Sequence, residues 1–266
     1  MGIQKISVSM EKYVMPVANR LGNECHLRAI RDAFMSLLPI NFMGGIAAVI
    51  SSLPLEISNS IVFSWINALT LGAMSIYICI GIIHFLCKSR KIESFLPILL
   101  GVCGFLMLVM EPVSLGWDGK MVEISYMDGK GLIPAMLIAI LTADLYCYMR
   151  KRDFGKISLP DTVPASLSDV FASIVPGAVL LVLYTVIFVL CNAAGTTLPK
   201  LIYGILSPSL KAVDNLGFTI LITLFVHVFW FFGIHDAALS GVLSPIRDGN
   251  LSINAAAHAA GQALPN

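Results

Sequence analysis

The feature that most limits what this chain can become is a series of long apolar runs separated by short polar, often basic, stretches. A membrane-crossing helix needs about 20 mostly apolar residues, within a range of roughly 17–25. Six runs approach or meet that length: residues 34–53, 61–87, 95–110, 131–148, 170–192 and 217–234. In a bilayer the backbone must satisfy its own polar groups, which helices do within a single segment. The expected fold class is therefore all-α: a polytopic membrane protein with about six transmembrane helices.

Composition narrows the alternatives. Only 12% of the residues are charged and 57% are hydrophobic, whereas soluble domains carry about 25% charged residues. The formal charge is +1. This excludes a disordered chain, a nucleic-acid binder with a basic face, and a secreted disulfide scaffold. Membrane lipid is an expected partner and nucleic acid is not. The six cysteines form no C-x-x-C pair and mostly lie in apolar runs. They are expected to be small apolar helix residues, with no metal site. Residues 1–33 lack the apolar core and cleavage site of a signal peptide and are expected to be a cytoplasmic N-terminal segment. Ile6 occupies the position where a myristoylation signal needs Ser or Thr.

Residues 198–216 differ from the spans. On a helical wheel Leu201, Ile202, Ile205, Leu206, Leu210, Val213 and Leu216 fall largely on one half, and Lys200, Ser207, Lys211, Asp214 and Asn215 largely on the other. This pattern predicts an amphipathic segment in the interface plane, bent or broken at Pro208; a polar loop is the alternative. Counted loop by loop, thirteen of the seventeen Lys and Arg fall on the N-terminal side of the membrane. The positive-inside rule then places the N-terminus in the cytoplasm. The stretch after residue 235 is Gly-, Ala- and Asn-rich and is expected to be partly buried loop and short helix, re-entrant in character.

Soluble-enzyme motifs are absent: the sequence holds no P-loop, no H-E-x-x-H and no G-x-S-x-G. Ionisable residues at membrane depth are the remaining candidates for chemistry. Asp144 and His84 lie near span ends, where an interfacial position accounts for them. Asp144 is expected near Arg150–Arg152. A proton path through His84, Asp144 and His227 is a weaker idea, because no two of them share a span. The run His227-Val228-Phe229-Trp230-Phe231-Phe232-Gly233-Ile234-His235 is the strongest constellation. An aromatic face beside a hydrogen-bonding ring suits a sugar, which stacks by its C–H face and needs partners for its hydroxyls. An interfacial aromatic belt reads equally well from the same residues.

The stretch from Phe225 through His235 to the end of the chain resembles the segment around the signature histidine of the sugar-translocating IIC subunits of the bacterial phosphoenolpyruvate-dependent phosphotransferase system. It is most similar to the lactose, cellobiose and N,N'-diacetylchitobiose branch. The opening stretch from Lys12-Tyr13-Val14-Met15-Pro16 through Arg31-Asp32-Ala33-Phe34 and Leu38-Pro39 resembles the first helix of that branch. The resemblance implies a homodimeric permease of the bacterial inner membrane that takes up a β-linked disaccharide and presents it to a phosphorylated IIB subunit. IIB, not this chain, would donate the phosphoryl group, and no cofactor is implied. His235 would hydrogen-bond the sugar, Trp230 would stack on it, and Asn254 would lie in the following substrate-contacting stretch. Residues 34–192 would form a five-helix dimerisation region. Residues 217–266 would be the first helix and re-entrant-like tail of an incomplete transport domain. Family members are longer, so the expectation is a permease truncated relative to its family; the alternative is a transport-inactive remnant that only dimerises or associates with a full-length permease. In this sequence Asp236 follows the histidine, where the family usually has Gly.

Overall fold

The computed structural model describes residues 22–53, 61–114, 120–123, 126–157, 165–202, 204–205 and 216–231, together with 251, 253–254, 257–258 and 261–264 near the end of the chain. Apart from one small hairpin and the connecting turns, the described residues are helical. In chain order the helices are α1 (Cys25–Ser52), α2 (Ile61–Leu69), α3 (Met74–Ser89), α4 (Phe95–Val109), α5 (Leu132–Lys151), α6 (Ala165–Ala193) and α7 (Leu216–Phe231). Four segments are long and apolar enough to cross a membrane: Cys25–Ser51, Ile61–Ser89, Gly129–Lys151 and Val170–Ala193. Phe95–Val109 and Leu216–His227 are apolar but shorter. The described parts of all six expected runs are mainly helical, and four reach spanning length within the described residues.

Two boundaries differ from the sequence expectation for identifiable reasons. Helix α1 starts at Cys25 rather than residue 34. The Glu24 side chain caps it, accepting from the Leu27 N–H at 2.8 Å. Its first turns are polar, with Arg28 and Arg31 both beside Asp32, so a search for apolar residues passes over them. The second run is not one helix. Residues Leu71–Ala73 form a 3-10 turn between α2 and α3. Thr70 precedes the break, and its hydroxyl donates back to the Ile66 carbonyl at 2.6 Å. The stretch after α4, read from sequence as loop, contains the antiparallel pair β1 (Glu111–Ser114) and β2 (Lys120–Glu123), in register Glu111↔Glu123 to Ser114↔Lys120.

The core lies where α3, α4, α5 and α6 meet, with the first half of α1 laid against α3. Lipid tails are as apolar as leucine, so helices in a membrane gain by close packing, which small residues permit. That logic is visible at Gly104. A Cβ there would lie 2.4 Å from the Tyr184 ring of α6. Tyr184 is fully buried, and its hydroxyl meets Thr142 Oγ1 of α5 at 2.6 Å. One glycine thus lets an aromatic side chain cross α4 and join α6 to α5. Ala33 of α1 packs in the same way against Gly81 of α3, where an added Cβ would come within 2.8 Å of the alanine methyl.

The two ends of this bundle are tied differently. At one end the start of α3 is held to the segment before α5. The Ser75 N–H donates to the Met127 carbonyl at 3.0 Å, and the Ser75 hydroxyl donates to the Asp128 carbonyl. Asp128 Oδ1 in turn accepts from the Lys130 N–H at 2.8 Å. Burial pushes the Asp128 carboxyl above its ordinary pKa, against the opposing pull of that N–H. The other end is ionic and includes the functional-site candidates below.

Candidate functional site

Side chains from three helix ends converge at the ionic end. Asp144 projects near the C-terminus of α5, Arg90 follows α3, and His26 lies in the first turn of α1. Arg90 Nη2 donates to Asp144 Oδ1. His26 Nε2 lies 3.1 Å from both Asp144 oxygens, and its Nδ1 is 2.9 Å from Glu24 Oε1. Partial burial works to raise the Glu24 carboxyl, but the Leu27 N–H and the His26 ring outweigh it and hold the carboxyl below its ordinary range. Cys25 Sγ and Ser89 Oγ, 3.3 Å apart, make a further contact between α1 and α3.

Asp144 lies in the C-terminal half of α5, and its partners are Arg90 and His26. Arg152 lies past the end of α5 and stacks over the Tyr148 ring at 4.9 Å, while Asp144 faces across to α3 and α1. His26 is 118 positions from Asp144 in sequence, and no periodicity links them. The only available signal was a carboxylate near the end of an apolar run. Beneath the cluster Cys87 and Cys147 bring their sulfurs to 3.7 Å, across α3 and α5, in a fully buried setting. All six cysteines are free thiols. The arrangement locks three helices together and offers no open coordination sphere; among the described residues no group of His, Cys, Asp and Glu could hold a metal.

The proposed sugar-contacting residues lie elsewhere. Trp230 stands in the last turn of α7 by its backbone. His235 falls outside the described residues, as do Pro208 and most of the amphipathic segment. The described part of that segment, 198–202 and 204–205, is helical, with Ile202 buried and Ile205 exposed. Asn254 is helical and half-buried. In α7, His227 Nδ1–H donates to the Thr223 carbonyl one turn back at 2.8 Å, which fixes that nitrogen as the protonated one. His84 pairs with Ser94 Oγ at 3.1 Å. His84, Asp144 and His227 therefore each have separate partners, and their described contacts form no path between them.

The fold and its chemistry define a polytopic helical membrane protein whose polar groups tie helix ends together. Residues 31–266 match the family model described as "Phosphotransferase system, EIIC", and the chain belongs to that family. It is 26% identical over 272 residues to the oligo-beta-mannoside-specific EIIC component of the phosphotransferase system from Bacillus subtilis strain 168, covering 97% of this chain and 61% of that protein. It is 31% identical over 257 residues to the lactose-specific EIICB component from Staphylococcus aureus strain COL, covering 89% of this chain and 43% of that one. Its fold is similar to the crystal structure of the transporter ChbC, the IIC component of the N,N'-diacetylchitobiose-specific system. There the TM-score is 0.84 and the identity 26%, over 97% of this chain and 64% of that one. The chain spans between about two fifths and two thirds of the length of these proteins.

Proposed function

We propose that the chain acts in the membrane-embedded, sugar-translocating component of a phosphotransferase system and handles a β-linked disaccharide of the cellobiose, chitobiose or lactose type. The observation that carries this reading is the likeness to ChbC along nearly the whole chain. It is supported by relatives whose names specify lactose and oligo-β-mannosides, which are joined by β-linkages. The sugar would be phosphorylated by a phosphorylated IIB subunit, so the chain would act as a permease coupled to phosphoryl transfer and would supply no phosphoryl donor of its own.

In this reading His235 hydrogen-bonds the sugar hydroxyl that accepts phosphate, Trp230 stacks on the sugar face, and Asn254 contributes a further polar contact. The region from residue 34 to 192 forms the homodimer contact, 198–216 lies along the membrane surface, and 217–266 belongs to the transport unit. The N-terminus faces the cytoplasm of a bacterial inner membrane, consistent with the basic residues gathered at the end of the bundle that holds Arg28, Arg90 and Arg150.

The test is sugar-dependent phosphoryl consumption in membranes supplied with phosphoenolpyruvate and the soluble phosphotransferase proteins. His235→Ala removes a hydrogen bond to the reacting sugar, worth about 1–2 kcal/mol, and is expected to lower the rate about tenfold or more at unchanged membrane content. An undiminished rate overturns the site. A wild-type chain that supports no sugar phosphorylation alone, yet co-purifies with a full-length permease, would favour an associating role instead.

A further inference from the structure

We propose that the basic end of the bundle holds a specific site for an anionic phospholipid, in a groove between α4, α5 and α6. The groove encloses about 750 Å³. Its rim carries Lys91, Arg150 and Lys151, and its walls include Phe95, Leu99 and Val170. These three apolar side chains are 69%, 51% and 59% exposed, so the bundle itself does not cover them. The groove therefore has a cationic mouth at the helix ends and an apolar channel below it, the two-part chemistry of a phosphodiester headgroup with its acyl chains.

Charge decides among possible occupants. Among the described lining residues Glu93 is the one carboxylate, and it is exposed. Its Oε1 accepts from the Ser94 and Phe95 N–H groups at 3.1 and 3.3 Å, at the start of α4. That helix terminus offsets part of its charge, and with Lys91, Arg150 and Lys151 beside it the described rim stays net cationic. A soluble anion would satisfy the rim and leave the apolar walls wet. A zwitterionic lipid would fill the walls and gain no net attraction from the rim. Only an anionic lipid satisfies both.

The backbone also sets the mouth. Lys91 occupies the left-handed region at φ 59°, and the next N–H, of Ile92, donates to the Cys87 carbonyl at 3.0 Å. That closure ends α3 abruptly and carries Lys91 to the rim. Tyr146 and Ser173, also on the lining, are joined by a 3.0 Å hydrogen bond from the tyrosine hydroxyl, which ties α5 to α6 there and keeps the groove preformed.

The test is thermal unfolding of the full 266-residue chain, delipidated in mild detergent, titrated with phosphatidylglycerol, phosphatidylcholine or inorganic phosphate. Phosphatidylglycerol is expected to raise the midpoint above the level reached with phosphatidylcholine, and phosphate to leave it unmoved. Each basic side chain beside an anionic headgroup is worth about fivefold in affinity. The double variant Lys91→Gln, Lys151→Gln should therefore need about thirtyfold more phosphatidylglycerol, and Lys156→Gln, off the lining, should need no more. Leu99→Trp, which fills the channel and leaves the rim charges in place, should also weaken the phosphatidylglycerol response. Equal shifts with both lipids, a shift with phosphate alone, or an unaltered double variant would overturn the proposal.

Discussion

The packed bundle of α1 and α3–α6 and the helix α7, which among the described residues packs little against it, are both strongly apolar and have opposite surroundings. In the bundle Ile78, Ile82, Ile83, Leu86, Phe105 and Leu180 are wholly buried. In α7, Leu216, Ile220, Leu221 and Leu224 are all more than half exposed. Both are apolar enough for a membrane, so apolarity does not separate them. What separates them is surface shape. The bundle sets glycine and alanine opposite large rings and branched chains, and so packs backbone close to side chain. Helix α7 carries large apolar residues broken by a stripe of Thr219, Thr223 and His227 four positions apart, and its described leucines face outward.

The first way to break the comparison is to spoil the shape. Gly104→Leu drives a side chain into the space of the buried Tyr184 ring and is expected to cost about 3 kcal/mol, read as a large fall in the unfolding midpoint in detergent. A variant as stable as wild type would show that α4 and α6 are not packed as described. Next, Tyr184→Phe keeps the shape and removes the hydroxyl that meets Thr142. Helix-to-helix hydrogen bonds in membranes average about 0.6 kcal/mol, so a small loss is expected, clearly below that of Gly104→Leu. If the two losses were equal, hydrogen bonding rather than close packing would be the main tie between these helices. The smallest effect belongs to α7: Leu221→Ala removes exposed bulk and is expected to change stability by less than about 0.5 kcal/mol. A loss of several kcal/mol would mean that Leu221 is packed against protein in solution.

The contrast also explains what could be read from the sequence. The helical runs were legible because apolar runs of this length have no other structure in a bilayer, and α4 and the start of α7 fall close to their expected limits. The polar start of α1 was not, since its stability comes from the Glu24 cap and from ion pairs. The break at Thr70 lies inside an unbroken apolar run, so nothing in hydropathy marks it. The His26–Asp144–Arg90 cluster joins residues from three separate helices, and only tertiary packing brings them together. Of the residues proposed for the sugar site, Trp230 and Asn254 lie in helical segments as far as the described backbone extends, while His235 lies outside the described residues and is proposed from its motif alone.

One detail of the bundle has a practical side. The Cys87 and Cys147 sulfurs stand 3.7 Å apart, and a disulfide needs about 2.05 Å. Closing that gap requires α3 and α5 to approach or their side chains to turn by well under a helix diameter. The chain thus carries a native proximity gauge between two of its most tightly packed helices. How fast a mild thiol oxidant links this pair, compared with how fast it modifies the exposed Cys103, measures how often the centre of the bundle opens.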